Sequence, residues 1–136
     1  VLGRSGLSFF CAPRLKARIQ GDFPACLNGL PMLVPGATSP VRQQLEDWFA
    51  RHRLAPVVVG EFDDAALMKA FGREGQGVFM APIVLEAETC NQFGVVAFGR
   101  TSELVEEFYA VSVERRISHP CVLAITDAAR GQLFSL

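Results

Sequence analysis

Residues 30–82 constrain the fold more than any other part of this 136-residue chain. Apolar runs typical of strands alternate there with two segments of helical spacing, which predicts parallel strands joined by crossover helices. Both predicted helices begin directly after a strand, at Ser39 and at the pair Asp63 and Asp64. In a parallel sheet these starts lie at one edge, outside the carboxyl ends of the strands, where such folds bind small molecules. The sequence therefore predicts a ligand-binding α/β module.

The first predicted helix has a clear start and an apolar face. Ser39 can cap its N-terminus, and Pro40 at the first helical position loses nothing by lacking an N–H group. Apolar side chains then recur at helical spacing, namely Val41, Leu45, Trp48 and Phe49. The helix is expected to end near Arg53. The next run, residues 57–59, is apolar and β-branched throughout, which predicts a strand covered on both faces.

The second predicted helix begins at two acidic residues. Asp63 and Asp64 are expected to cap it, because acidic side chains suit a helix N-terminus. A carboxylate pair for metal or acid–base chemistry is the alternative, and both interpretations can hold beside a pocket. Its expected apolar face comprises Leu67, Met68 and Phe71. The glycines of residues 72–77 follow a helix and precede a strand, so they indicate a helix stop and not a phosphate-binding loop.

Further strands are predicted on both sides of this segment, at residues 7–12, 78–81, 94–98 and 107–113. Short helices are expected at residues 13–19 and 83–91, and a last helix is expected to begin at Ser118. The histidine in Arg51-His52-Arg53 reads as part of a solvated helix end.

Composition and charge exclude several functional classes. The net charge of −1 creates no field that would attract nucleic acid or an anionic membrane. No apolar run is long enough to cross a membrane. The two histidines lack the spacing of a zinc site. We find no set of nucleophile, base and acid, so we expect neither an enzyme nor a cofactor, and we assign no metal ligands.

The cysteine pattern indicates the cellular compartment. The four cysteines are Cys11, Cys26, Cys90 and Cys121, and none belongs to a CxxC pair. Each lies among apolar residues, so we expect buried free thiols in a reducing cytoplasm, although an even count permits two disulfides. The first residue is Val1 and not Met, and we expect the chain to be a fragment of a longer protein.

Thr38 and Ser39 are the best candidates for ligand contact from the residues alone. Free N–H groups and hydroxyls at a helix N-terminus would hold an anion or a polar head group. Plain helix capping is an equally good interpretation of the same two residues.

An ordered set of segments resembles the C-terminal effector-binding domain of LysR-type transcriptional regulators. The set comprises Phe23-Pro24, residues 27–36 (LNGLPMLVPG), Ser39, Arg42, Leu45, Trp48-Phe49, residues 56–64 (PVVVGEFDD) and residues 75–82 (GQGVFMAP). Within the family, residues 60–72 (GEFDDAALMKAFG) and 108–120 (FYAVSVERRISHP) look most like activators of Na⁺/H⁺ antiporter expression. That likeness implies Na⁺ or Li⁺ as the effector. Oxygen ligands for it could include backbone carbonyls, Glu61, Asp63 and Asp64.

The resemblance implies a periplasmic-binding-protein-like α/β fold, in which one Rossmann-like subdomain is complete and the other subdomain is incomplete. Residues 27–93 would form the complete one, which is the second subdomain of the family. Residues 1–26 with 94–136 would form only part of the first. The N-terminal winged helix-turn-helix of the family is expected to be absent from this chain, so DNA would be bound elsewhere in the protein. A cytoplasmic homo-oligomer, dimer or tetramer, is implied, with no membrane contact. The implied effector-binding residues are Gly36, Thr38, Ser39, Phe62, Asp63 and Pro82.

Two other functions stay open at this point. A periplasmic-type solute-binding protein would use the same fold but would need a signal peptide upstream of Val1. A small α/β enzyme, such as a transferase or a protein like prephenate dehydratase, would need a catalytic set that the sequence does not display.

Overall fold

A computed structural model describes residues 3–108, which form a layered α/β unit. The strands are β1 (Gly3–Cys11), β2 (Pro31–Pro35), β3 (Val57–Phe62), β4 (Phe79–Pro82) and β5 (Val96–Phe108). The α-helices are α1 (Pro13–Lys16), α2 (Pro40–Arg51), α3 (Ala65–Arg73) and α4 (Glu86–Phe93), with short 3₁₀ turns at Ala25–Leu27 and Ile83–Leu85. The alternation of strand and helix predicted for residues 30–82 is therefore confirmed.

The strands combine a parallel pair with an antiparallel group. β2 and β3 run parallel, whereas β1 lies between β4 and β5 and is antiparallel to both. The two groups meet where Met32 forms a parallel bridge with Val78. There the Leu33 N–H donates to the Val78 carbonyl, and the Val78 N–H donates to the Pro31 carbonyl, both at 2.8 Å. β2 and β4 are thereby joined, and the strands follow the order β3-β2-β4-β1-β5.

Alternating side chains divide the core between the two faces of this sheet. One face packs against α2, with its interior formed by Phe9, Met32, Val34, Val78, Leu45 and Trp48. The other face packs against α3 and α4, with its interior formed by Phe10, Leu33, Phe79, Met68 and Val95. Neighbouring residues in one strand belong to opposite clusters, as the two-residue period of a strand requires.

The prediction that residues 57–59 are covered on both faces is wrong. Val57, Val58 and Val59 are 53%, 47% and 51% exposed. The reason is position, because β3 pairs only with β2 among the described strands and so forms the edge of the sheet. The predicted apolar face of α3 is also only partly buried, since Met68 is covered whereas Leu67 and Phe71 lie in the open.

β5 is one continuous strand, whereas two separate strands were predicted in its region. It pairs with β1 along the whole length of β1, from Gly3 opposite Phe108 to Cys11 opposite Val96. The register jumps between Gly6 and Leu7, which face Val105 and Thr101, so residues 102–104 of β5 bulge out of the ladder. The part of the second predicted strand beyond residue 108, and the helix predicted at Ser118, lie outside the described residues.

The glycine-rich segment ends α3, as predicted, and leads into β4. The helix stops at Arg73, and Gly75 has a φ of 80°, which favours glycine. Gly72 is needed for another reason. A Cβ atom there would lie 2.2 Å from Cδ1 of Phe79, so the absence of a side chain lets α3 approach the sheet.

Cys11 and Cys26 are buried free thiols, as expected, whereas Cys90 is free but only half-buried, and Cys121 lies outside the described residues. Burial raises the pKa of the Cys11 thiol to about 11. Between residues 3 and 108, no helix is long and apolar enough to span a membrane. The division into subdomains at residues 26 and 94 stays a prediction, and in the structure β1 and β5 pair within the same sheet as β4.

Candidate functional site

A cavity of about 520 Å³ lies at the carboxyl ends of β2, β3 and β4. All six residues implied by the family resemblance line it, namely Gly36, Thr38, Ser39, Phe62, Asp63 and Pro82. The starts of α2 and α3 therefore open onto a common space, as the strand–helix pattern predicted. A role of these residues in holding an effector stays a prediction.

The cavity also contains residues that the sequence analysis missed. They come from β1, α3 and β5 and include Leu7, Met68, Lys69, Glu106 and Phe108, whereas Met80 belongs to the strand end at residues 77–82 that the family resemblance implied. Leu7, Met68 and Met80 make part of the wall apolar, which is usual for a small-molecule site. Glu106 and Phe108 reach the cavity only because β5 pairs with β1. No local sequence signal marks that pairing.

The N-terminus of α2 is already saturated with hydrogen bonds. The Ser39 N–H donates to the Gly36 carbonyl at 3.0 Å, and Pro40 has no N–H group. The Val41 N–H donates to the Ser39 hydroxyl at 3.2 Å, and the Arg42 N–H donates to the Ser39 carbonyl at 3.1 Å. These are the four N–H positions that a helix start normally leaves unsatisfied. The capping interpretation of Ser39 is confirmed, and the expectation of free donors for an anion at these positions is wrong.

The two aspartates before α3 have different roles. The Asp64 carboxylate caps the helix and accepts from the N–H groups of Ala66 and Leu67 at 2.9 and 3.4 Å. Asp63 lines the cavity, and its carboxylate lies close against Gly36, where a Cβ atom would be 2.2 Å from Oδ1 of Asp63. Both predicted roles are thus present, since Asp64 caps α3 and Asp63 lines the cavity.

The oxygen ligands expected from Glu61, Asp63 and Asp64 do not come together. Glu61 forms an ion pair with Arg42, Asp64 is occupied as a helix cap, and only Asp63 lines the cavity. Within residues 3–108, no group of three or more His, Cys, Asp or Glu side chains is arranged to hold a metal ion. The acid that shares the cavity with Asp63 is Glu106.

Residues of opposite charge line the cavity. Burial raises the pKa of the Glu106 carboxyl, and the ammonium of Lys69 acts in the opposite direction. Lys69 belongs to α3 and Glu106 to β5, so this interaction joins distant parts of the chain. The Lys69 Nζ lies 6.0 Å from the ring centroid of Phe93. The charged residues of the described wall are thus Asp63, Glu106 and Lys69.

His52 is not a simple solvated residue, contrary to expectation. Its Nε2 lies 2.8 Å from Oε1 of Glu103, and the Trp48 Nε1–H donates to the same oxygen at 2.9 Å. These bonds from Trp48 and His52 hold the pKa of Glu103 below its usual value. Gln44, one helical turn before Trp48 in α2, forms two hydrogen bonds with the backbone of Val105, at 2.8 and 3.0 Å. The helix that begins at the cavity is thereby tied to the bulge of β5.

A family model described as the LysR substrate binding domain matches residues 1–133. The chain belongs to this family. It is 38% identical over 134 residues to the transcriptional activator protein NhaR of Escherichia coli strain K12, and equally to NhaR of Shigella flexneri. Each match covers 98% of this chain but 44% of the relative, so the chain spans less than half the length of these relatives.

Solved LysR-family structures share the fold. The bromide-bound regulatory domain of HypT from Salmonella typhimurium has a TM-score of 0.62 and 14% identity, covering 96% of this chain and 63% of that one. The effector domain of AmpR of Pseudomonas aeruginosa has a TM-score of 0.60 and 23% identity, covering 97% and 67%. Vibrio fischeri DarR in complex with DNA has a TM-score of 0.57 and 21% identity, covering 77% and 35%. The predicted periplasmic-binding-protein-like α/β fold is confirmed.

Proposed function

We propose that this chain is the sensing domain of a transcriptional activator, that it responds to Na⁺ or Li⁺, and that it controls expression of a Na⁺/H⁺ antiporter. The identity of 38% with NhaR supports this function, as does the match to the LysR family along the chain. We propose no catalytic role and no cofactor.

The oxygen-rich polar part of the cavity wall carries the proposal. Four residues with oxygen-bearing side chains, Thr38, Ser39, Asp63 and Glu106, line one cavity. The N–H groups at the start of α2, which would favour an anion, are already bonded. Hard cations take oxygen ligands, which these four residues carry.

The effector would act by favouring one arrangement of two subdomains, formed by residues 27–93 and by residues 1–26 with 94–136. A ligand shifts such an equilibrium only by the difference between its affinities for the two arrangements. Both sides of this predicted division supply cavity residues, because Asp63 follows β3 whereas Glu106 lies in β5. A cation held between them would therefore have a different affinity when the subdomains change their separation.

The proposed partners are DNA, bound by a winged helix-turn-helix of the regulator, and further copies of the same protein in a dimer or tetramer. The exposed valines of β3 support self-association, because contiguous exposed apolar surface marks interaction sites. We propose a cytoplasmic location without membrane contact.

A titration of the intact regulator tests the choice of effector. NaCl or LiCl is compared with KCl at constant ionic strength, and the promoter footprint is followed. We expect NaCl and LiCl to change the footprint and KCl to leave it unchanged. Equal responses to all three salts would contradict the specific-cation proposal while leaving the family assignment intact.

Two neighbouring aspartates provide matched variants for the same titration. Asp63→Asn removes a carboxylate from the cavity, whereas Asp64→Asn removes one from the adjacent helix cap, which an asparagine can still form. We expect the Na⁺ midpoint to rise roughly tenfold in Asp63→Asn, the effect of losing about 1.4 kcal/mol of binding energy. It should stay unchanged in Asp64→Asn, and equal shifts in the two variants would contradict a cation site in the cavity.

A further inference from the structure

Arg42 connects the ends of two strands directly behind the cavity wall. It projects from α2, and its side chain is only 17% exposed. Its Nη1 donates to the Pro35 carbonyl at 2.8 Å and is paired with the Glu61 carboxylate, and its Nε donates to Glu46 at 3.0 Å. Pro35 is the last residue of β2, and Glu61 is the next to last residue of β3. One guanidinium thus holds both strand ends.

The residues that follow these two contacts form the cavity wall. Gly36 follows Pro35, and Phe62 and Asp63 follow Glu61. The Gly36 N–H donates to the Phe62 carbonyl at 3.0 Å. The missing Cβ of Gly36 provides the space that the Asp63 carboxylate occupies. A small separation of the two strand ends would therefore move that carboxylate relative to the cavity.

Besides Arg42, the end of β3 is held by β2 and by Phe62, which packs against Phe71 of α3. Among the described strands β3 pairs only with β2, and its valines are exposed. Arg42 lies outside the cavity lining, so it would act on a ligand only through the strand ends that it holds.

We propose that Arg42 is a positioning residue, which fixes the ends of β2 and β3 so that the Asp63 carboxylate faces the cavity. The effect of Arg42 on the effector response rests on the proposed sensing function. The effect of Arg42 on the cavity wall is independent of that function, so the two effects can be measured separately.

Amide hydrogen exchange of the intact protein tests the structural part. In Arg42→Gln we expect the Gly36 amide to exchange roughly tenfold faster, because the two strand ends lose the guanidinium that joins them. The Leu54 amide, bonded to the Phe49 carbonyl beyond the other end of α2, should change by less than about twofold. Arg73→Gln is the matched control, because the ion pair of Arg73 is with the adjacent Glu74. It should leave both amides unchanged.

A double-mutant cycle distinguishes loss of this contact from a general loss of stability. Glu61→Gln removes the other half of the ion pair and should also speed exchange at Gly36, whereas Arg42→Gln with Glu61→Gln should exchange little faster than Arg42→Gln alone, because both changes break the same contact. Arg42→Lys keeps the charge but not the planar guanidinium and should give an intermediate rate. These variants decide the question even if Arg42→Gln fails to fold. An unchanged Gly36 amide in the single variants, or fully additive effects of Arg42→Gln and Glu61→Gln, would overturn the proposal.

The same variants are then titrated with NaCl and KCl, with the promoter footprint as readout. We expect a higher Na⁺ midpoint in Arg42→Gln and little further rise when Glu61→Gln is added. If the wild-type protein does not distinguish the two salts, the Na⁺ proposal fails, whereas the exchange of Gly36 still decides whether Arg42 fixes the wall. If the wild type responds and Arg42→Gln responds equally, Arg42 has no positioning role in sensing.

Discussion

Helices α2 and α3 begin in the same way but are embedded differently. Both start next to the cavity with a capping side chain, Ser39 in α2, which also lines the cavity, and Asp64 in α3, which does not. α2 then buries three apolar side chains, Val41, Leu45 and Trp48, and bonds to β5 through Gln44 and Trp48. α3 buries Met68 and Gly72 but leaves Leu67 and Phe71 exposed.

The difference shows that a helix start is a local property, whereas the burial of a helix depends on what the rest of the chain places against it. α2 is covered because β5 returns beside it from a distant part of the sequence. α3 stands near the exposed edge strand β3, and its Phe71 contacts Phe62 at 5.2 Å between ring centroids. The cavity therefore lies between one helix whose apolar face is largely covered and one whose apolar face is partly exposed.

The largest expected effect is on the buried side of α2. Trp48→Ala should lower the free energy of unfolding by about 3–5 kcal/mol, because it removes a fully buried ring and a hydrogen bond to Glu103. Phe71→Ala in α3 should lower it by only about 1 kcal/mol, because the ring is half-exposed and loses a contact with Phe62. Urea unfolding of both variants checks this, and similar losses in the two helices would show that they are equally embedded.

The contact between α3 and the sheet should be sensitive to a single methyl group. Gly72→Ala is expected to destabilise the protein by about 1–3 kcal/mol, because the added Cβ overlaps the buried ring of Phe79. Alanine would otherwise stabilise a helix relative to glycine by about 1 kcal/mol. Ala66→Gly at the start of the same helix measures that backbone effect alone. A stabilised Gly72→Ala variant would mean that α3 is free to move away from β4.

The helix caps should have smaller and nearly equal effects, because both helices start in the same way. Ser39→Ala and Asp64→Ala should each cost about 1 kcal/mol of stability. Asp63→Ala should cost only a few tenths, since Asp63 lines the cavity and does not cap α3. Thermal or urea unfolding of the three variants separates these roles. A larger loss in Asp63→Ala than in Asp64→Ala would reverse their assignment.

The smallest expected effect is on the titration of Glu103 at the contact between α2 and β5. Its lowered pKa means that the folded state favours the carboxylate. This contribution to stability is present above the ordinary pKa of the group and is lost as the pH falls through the lowered value. Trp48→Phe removes the main hydrogen bond, so the pKa of Glu103 should rise toward its ordinary value. Carboxyl NMR shifts followed against pH measure this, and an unchanged pKa would contradict the role of Trp48.

The sequence was sufficient to predict the parallel part of the fold. The caps at Ser39 and Asp64, the strand–helix alternation and the common edge follow from neighbouring residues and from the geometry of parallel sheets. The antiparallel part was less accessible, because the pairing of β1 with β5 joins distant segments. That pairing creates the continuous β5, the bulge carrying Glu103 and the approach of Glu106 to the cavity.

The burial of β3 was predicted wrongly for a related reason. An apolar β-branched run has the same sequence signature at a covered centre and at an edge, and only the strand order distinguishes them. The expectation that Glu61 and Asp64 help to bind a cation was also wrong, because neither residue lines the cavity. Proximity in sequence could not show that Arg42 and the N-terminus of α3 already occupy these carboxylates.

The most direct test of the shared cavity is a salt titration of the isotopically labelled protein, monitored by backbone amide NMR shifts. NaCl, compared with KCl at constant ionic strength, should cause saturable shifts at Gly36, Thr38, Asp63 and Glu106. The amide of His52, beyond the cavity at the far end of α2, should not respond. Identical shifts with both salts, or Na⁺-specific shifts confined to residues outside the cavity, would contradict the account.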